Sequence, residues 1–147
     1  MSKPVVIPFE TTIHVRDTCL CLHVQRAARA LARRFDEALR PLGLTNGQFS
    51  LLMSLNRPEP AGMGGVANLL AMDRTTLTAA LKPLERRGLL TVAPDPKDGR
   101  ARVLSLTDDG RALLAQAVPI WTREHGKLDE DLAGGADNLR AGLRAIA

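Results

Sequence analysis

Aromatic side chains are scarce. The 147 residues include three Phe, one Trp and no Tyr, 3% of the chain. That leaves too few flat π faces for a platform that stacks successive unpaired bases or sugar rings. Cysteine is scarcer still, with only Cys19 and Cys21. Two thiols that close together in one helix are poorly placed to bridge, because a disulfide needs a particular Cα separation and Cβ direction. A secreted, disulfide-stapled scaffold is excluded. No stretch approaches the length of apolar chain that crosses a bilayer, so no membrane partner is expected. The N-terminal run from Val5 to Phe9 is broken by Pro8 and is too short for the apolar core of a signal peptide, which makes the cytoplasm the expected location.

What is present is the composition of one globular domain, 45% hydrophobic and 24% charged, long enough to bury a core without staples. The net charge of +4 is unevenly distributed. Residues 16 to 40 carry six basic and three acidic side chains, residues 71 to 106 carry seven and four, and residues 107 to 147 carry five and seven. Two segments at +3 beside a tail at −2 suit a polyanionic partner, although a solvated helix face has the same look.

Apolar residues at Leu20, Val24, Ala27, Leu31, Phe35, Ala38 and Leu42 recur at steps of three and four, which predicts one long amphipathic helix from Asp17 to Leu42. Pro41 and Gly43 end it. Thr45 followed by Gln48 reads as a capping box for a second helix through Leu55. A loop over Arg57 to Pro60 precedes a short helix from Met63 to Leu70. Asp73 then caps a helix from Arg74 to Arg87 that stops at Gly88. Leu89 to Ala93 and Ala101 to Leu106 predict a β-hairpin whose connecting loop is rich in turn formers and basic at its tip. Thr107 opens a helix through Val118, Pro119 is expected to kink it before the pattern resumes through Ile120, Trp121 and Leu128, and Ala136, Leu139, Leu143 and Ile146 mark a last one.

Helix, short helix, helix and basic hairpin is the order of a winged helix-turn-helix, in which one helix enters the major groove of DNA. The expected fold is mainly α with a small β-hairpin wing, a winged helix-turn-helix joined to a helical dimerisation region. Several runs also resemble the MarR family of transcriptional regulators. They are Pro41-Leu42-Gly43-Leu44-Thr45, Leu69 to Leu77, Leu84-Glu85-Arg86-Arg87-Gly88-Leu89-Leu90, Asp95 to Arg102, and Leu106-Thr107-Asp108-Asp109-Gly110. The resemblance spans residues 18 to about 128. It implies an N-terminal arm and dimerisation helix over 1–44, a DNA-binding lobe over 45–107 and C-terminal dimerisation helices over 108–147. It further implies a homodimer that straddles a pseudo-palindromic operator in double-stranded DNA. Members usually repress transcription and let go of DNA when a small phenolic or carboxylate effector binds, or on oxidation. One departure stands out: the family wing commonly carries Asp-Arg-Arg, and Gly99 takes the first Arg position here, leaving Arg100 as the tip cation.

The expected DNA-contacting residues are Arg74, Thr75, Thr76, Thr78 and Lys82 on the third helix, with Lys97, Arg100 and Arg102 on the wing. Short hydroxyl side chains near a helix N-terminus beside basic groups allow close approach to phosphates and base edges. For Arg86, Arg87 and Lys97, a backbone contact and plain solubility are equal alternatives. His14, Arg16, His23 and Arg26 are candidates to anchor an anionic effector, or are surface and dimer contacts. Cys21 falls, by the resemblance, at the reactive position of the peroxide-sensing branch, but the tyrosines that support that thiolate are replaced by Gln25 and Phe35. Without a donor or cation nearby a thiol stays slow, so Cys19 and Cys21 read first as buried structural thiols and second as a redox pair. No metal and no cofactor are expected, since His14, His23 and His125 have no ligand spacing to the Cys-x-Cys pair. Gly62-Met63-Gly64-Gly65 is no phosphate-binding loop, and no triad spacing appears, so catalysis is not expected. The alternatives are a redox sensor of the same family and a small-molecule binding module that ignores DNA.

Overall fold

The computed structural model describes residues 1–147, which group into two units, Met1–Arg34 and Phe35–Ala147. In the first, Pro8 precedes α1 (Phe9–Thr18), and Cys19 adopts an extended conformation, with φ −66° and ψ 113°. Helix α2 (Leu20–Leu39) starts after it and runs on into the second unit. The single helix expected from Asp17 is therefore interrupted at Cys19. The break is confined to that residue, because the Cys19 amide still donates to the Val15 carbonyl and the Cys19 carbonyl accepts from the His23 amide. An apolar spacing of three and four reads through such a break unchanged. Helix α1 went unrecognised for a different reason: its β-branched residues Thr11, Thr12, Ile13, Val15 and Thr18 lower helix propensity and form no stripe. Glu10 in its first turn and Arg16 in its last do match the helix dipole.

In the second unit, α2 ends in a 3-10 turn over Arg40–Leu42, and Gly43 supplies the left-handed conformation (φ 65°) that turns the chain. Thr45 and Gln48 form the expected reciprocal capping box at α3 (Asn46–Ser54), with the Gln48 amide donating to Thr45 Oγ1 at 3.2 Å. Asp36 reinforces the same elbow, since one of its oxygens accepts from the Asn46 amide at 2.7 Å and from Asn46 Nδ2 at 2.9 Å. Then come β1 (Ala61–Gly62), α4 (Met63–Leu69), α5 (Arg74–Arg86), β2 (Leu90–Pro94), β3 (Arg102–Leu106), α6 (Asp108–Asp131) and α7 (Ala136–Ile146). Helices α5 and α6 continue through Pro83 and Pro119.

The sheet has the order β1-β3-β2, all antiparallel, with Leu90 opposite Leu106 and Pro94 opposite Arg102. Strand β1 is the unexpected member; Ala61 pairs with Leu104 directly after the predicted loop. Two residues carry no periodicity, so only the sheet reveals them. The core is built largely of leucine, with Leu39, Leu52, Leu77, Leu84, Leu90 and Leu104 buried completely. Each such side chain contributes roughly 1.5–3 kcal/mol of transfer free energy. Leu39 and Leu44, grouped by expectation with the first helix, pack into this winged-helix core. No helix is long and apolar enough to cross a membrane.

Candidate nucleic-acid interface

Helix α5 divides cleanly by face. Leu77, Leu81 and Leu84 are buried, whereas Arg74, Thr75, Thr76, Thr78 and Lys82 are all exposed. Its N-terminus is set by Asp73, whose carboxylate accepts from the Thr76 amide at 2.7 Å. That bond, above all, holds the Asp73 carboxyl below the usual carboxylate range. It also changes the expected chemistry. The anion-seeking end of the helix already holds an anion, which occupies the Thr76 amide, so a phosphate approaching this end of α5 meets a carboxylate beside the Arg74 side chain. Thr78 Oγ1 donates to the Arg74 carbonyl at 2.8 Å, which commits its proton and leaves its lone pairs and methyl group facing outward. The Arg74 guanidinium lies beside α4, where a methyl group on Gly64 would come within 3.5 Å of it.

The wing tip is a set of nested turns. Asp95 accepts from the Lys97 amide at 2.9 Å and Asp98 from the Arg100 amide at 3.1 Å, while the Asp95 amide donates to the Ala101 carbonyl. Both carboxylates are spent on backbone, and Lys97, Arg100 and Arg102 remain exposed and unpaired. Gly99 does not occupy the left-handed region, and a side chain there would meet nothing within 4 Å. Its departure from the family pattern thus removes a cation and leaves the loop geometry untouched. Helix α5 packs on β2, and β2 pairs with β3, so recognition face and wing belong to one packed body in which Arg74, Lys82, Lys97, Arg100 and Arg102 form no ion pair.

None of the four proposed effector anchors lines the cavities of the second unit. Arg16 pairs with the adjacent Asp17 at 2.8 Å, and His23 Nδ1 lies 2.7 Å from the Cys19 carbonyl oxygen. His14 and Arg26 are exposed. An apolar cavity of about 420 Å³ lies between α3, α4 and α6, lined by Phe49, Met53, Leu69, Val118 and Trp121 with Ser50 and Ser54. Phe49 and Trp121 stack across it at 6.2 Å, and His125 backs Trp121 at 4.7 Å. Two of the chain's four aromatic residues meeting there was a signal that sequence spacing alone did not expose. The thiols also differ from expectation, since Cys21 is exposed and Cys19 half-buried, so this chain by itself does not bury either.

The family model for the MarR family matches residues 44–101, which cover α3 to α5, β2 and the loop at the tip of the wing. The organic hydroperoxide resistance transcriptional regulator of Bacillus subtilis is 32% identical over 101 residues, 69% of each chain. Among solved structures, the Mycobacterium tuberculosis transcriptional regulator MosR in complex with DNA is 36% identical, with a TM-score of 0.80 over 87% of this chain and 92% of that one. Bordetella bronchiseptica BpsR, described with regulation of its DNA binding by 6-hydroxynicotinic acid, is 26% identical with a TM-score of 0.78, over 88% of this chain and 93% of that one. With a matching family model, a relative 32% identical over 69% of each chain and a solved structure 36% identical at a TM-score of 0.80, the chain belongs to the MarR family.

Proposed function

We propose that the chain is a DNA-binding transcriptional regulator that acts as a homodimer on a pseudo-palindromic operator and represses until a small aromatic effector releases it. One observation carries the DNA reading: α5 leaves Arg74, Thr75, Thr76, Thr78 and Lys82 exposed outside its buried leucine stripe, packed with a wing whose Lys97, Arg100 and Arg102 form no ion pair. Cations from helix and wing would neutralise phosphates, and the threonines leave room for base edges. A dimer presents two such faces, so half-site centres should lie about 10 bp apart or at a multiple of that. The test is competition by a specific and a scrambled duplex, each over a range of salt. Affinity indifferent to both sequence and salt overturns the reading.

The effector reading rests on the cavity lined by Phe49 and Trp121. Its walls are mostly apolar and its size falls in the usual range for small-molecule sites, which suits a flat aromatic ring whose carboxylate stays toward water. BpsR and its 6-hydroxynicotinic acid provide a precedent of that chemistry. A thermal-shift screen of aromatic acids tests it, because a ligand that prefers the folded state raises the melting temperature. Trp121→Ala should abolish the shift for any acid that binds there.

A second reading, oxidation of Cys21 or Cys19, is favoured by the exposure of Cys21 and by the hydroperoxide-resistance regulator among the relatives. Rapid release of DNA by a stoichiometric hydroperoxide, lost in Cys21→Ser, would establish it.

A further inference from the structure

Arg87 follows α5, exposed and flanked by Arg86, and its sequence alone fits a phosphate contact as well as a solvated charge. The structure gives it other partners. Its Nη1 donates to the Gly43 carbonyl at 2.8 Å and its Nη2 reaches the Leu42 carbonyl at 3.3 Å, across more than forty residues of chain. These are the carbonyls at the end of the 3-10 turn, where the backbone dipoles leave partial negative charge that a guanidinium fork satisfies. The clasp is close. A methyl group on Gly43 would lie 3.5 Å from Nη2. The elbow it grips is itself fixed, by the Asp36 bonds to Asn46 and by the Thr45 capping box.

The residue after Arg87 is pinned on another side. Gly88 takes the left-handed cap conformation (φ 72°), and its carbonyl accepts from Thr107 Oγ1 at 2.6 Å. The C-terminal end of α5 is thus tied at consecutive residues to the α2–α3 elbow and to the start of α6. Its N-terminal end is the part that displays Arg74, Thr75 and Thr78. Leu77, Leu81 and Leu84 seat the helix on the core, the ties at Arg87 and Gly88 fix its C-terminal end, and DNA recognition tolerates little error in how a helix is aimed into the groove.

We propose that Arg87 is a positioning residue for DNA recognition: by clasping the Leu42 and Gly43 carbonyls it sets the tilt of α5 against the elbow, and it makes no phosphate contact itself. The inference rests on the DNA-binding reading above. It also predicts that movement of the α2–α3 elbow is passed to the recognition helix through this side chain.

The test uses the full chain and the duplex that the unmodified protein enriches from a random-sequence library. Arg87→Met should weaken binding to that duplex about tenfold at fixed salt, with the slope of log K against log salt unchanged, and should narrow its preference over a scrambled duplex. Arg87→Lys, which retains a donor but not the fork, should recover part of the loss. Amide hydrogen exchange at Gly43 and Leu44 should quicken in Arg87→Met in the absence of DNA. A slope smaller by about one per subunit would make Arg87 a phosphate contact and overturn the proposal. So would unchanged affinity well below the melting temperature, since that leaves only a role in stability. If the unmodified protein enriches no sequence, the DNA-binding reading itself falls; if it does and Arg87→Met matches it, only this inference falls.

Discussion

Gly110 shows how much a single side chain is constrained in this fold. It lies in the first turn of α6, buried, and a methyl group added there would collide with the backbone carbonyl of Leu89. That same oxygen accepts from the Thr107 amide at 3.1 Å, so it cannot retreat without breaking the joint between β2 and α6. Gly110→Ala should therefore cost about 2–3 kcal/mol, in the range of overpacked sites, and lower the melting temperature by several degrees without altering the DNA-contacting face. Calorimetry decides this, and an unchanged transition would mean the joint is softer than its hydrogen bonds suggest. Gly99 is the opposite case, with open space around it and ordinary backbone. Gly99→Arg should leave stability alone, tighten binding to any duplex, and steepen the salt dependence by about one unit per subunit, because it adds a cation at the wing tip without reshaping the turn. Titrations at several salt concentrations would show whether the tip reaches a phosphate at all. Arg100→Ala should flatten the same slope.

At the scale of elements, the helix starts were the most legible features, and two of them are held by a titrating carboxyl. Thr45, Asp73 and Thr107 each accept from an amide of the following turn, as their spacing predicted, because a cap is a local device written within four residues. The α5 stripe and the wing strands were equally legible, since burial imposes periods of 3.6 and 2. Helix α1 and strand β1 were not: one has no apolar stripe, and the other exists only because Ala61 and Gly62 pair with β3. Nor could sequence place the cavity or the Arg87 clasp, which join residues far apart in the chain. The carboxyls of Asp36 and Asp73 are both held below the usual range, chiefly by the Asn46 amide and the Thr76 amide respectively. Their stabilising contribution is present above the unfolded carboxylate value of about 3.9 and is lost as pH falls through the lower folded values. The melting temperature should accordingly fall on acidification below about pH 4. Asp73→Asn and Asp36→Asn should make that fall shallower, since an amide side chain can still accept but does not titrate. A melting profile with the same acid limb in both variants would assign the loss to other carboxylates.

Across the whole molecule, apolar surface is left where a single chain has no use for it. Leu20, Val24 and Leu31 on α2 remain exposed, and α7 buries none of its residues, so Leu139, Leu143 and Ile146 are exposed too. Both helices are amphipathic in sequence, and an amphipathic helix whose apolar face meets water is short of a partner. A second copy of the chain is the partner that the MarR family membership favours, and we propose that an isologous contact covers the exposed stripes of α2 and α7. Charge distribution matches this division of labour at the DNA-binding lobe and the tail, whereas the basic excess within 16–40 falls on α2 itself. The excess of basic residues falls within 16–40 and 71–106, and the acidic tail lies in the segment expected to serve dimerisation and not DNA. The dimer should therefore persist at micromolar concentration and at high salt, where apolar burial strengthens while DNA binding fades. Leu143→Glu, which places a charge in the α7 stripe, should shift sedimentation toward the monomer and weaken operator binding by more than tenfold, because two half-sites can then be engaged only one at a time. Each winged lobe should keep its fold, as α7 contributes nothing to the buried core. A Leu143→Glu variant that stays dimeric and binds unimpaired would move the interface to α2 alone; an unmodified chain that sediments as a folded monomer would remove the two-fold operator from the proposal altogether.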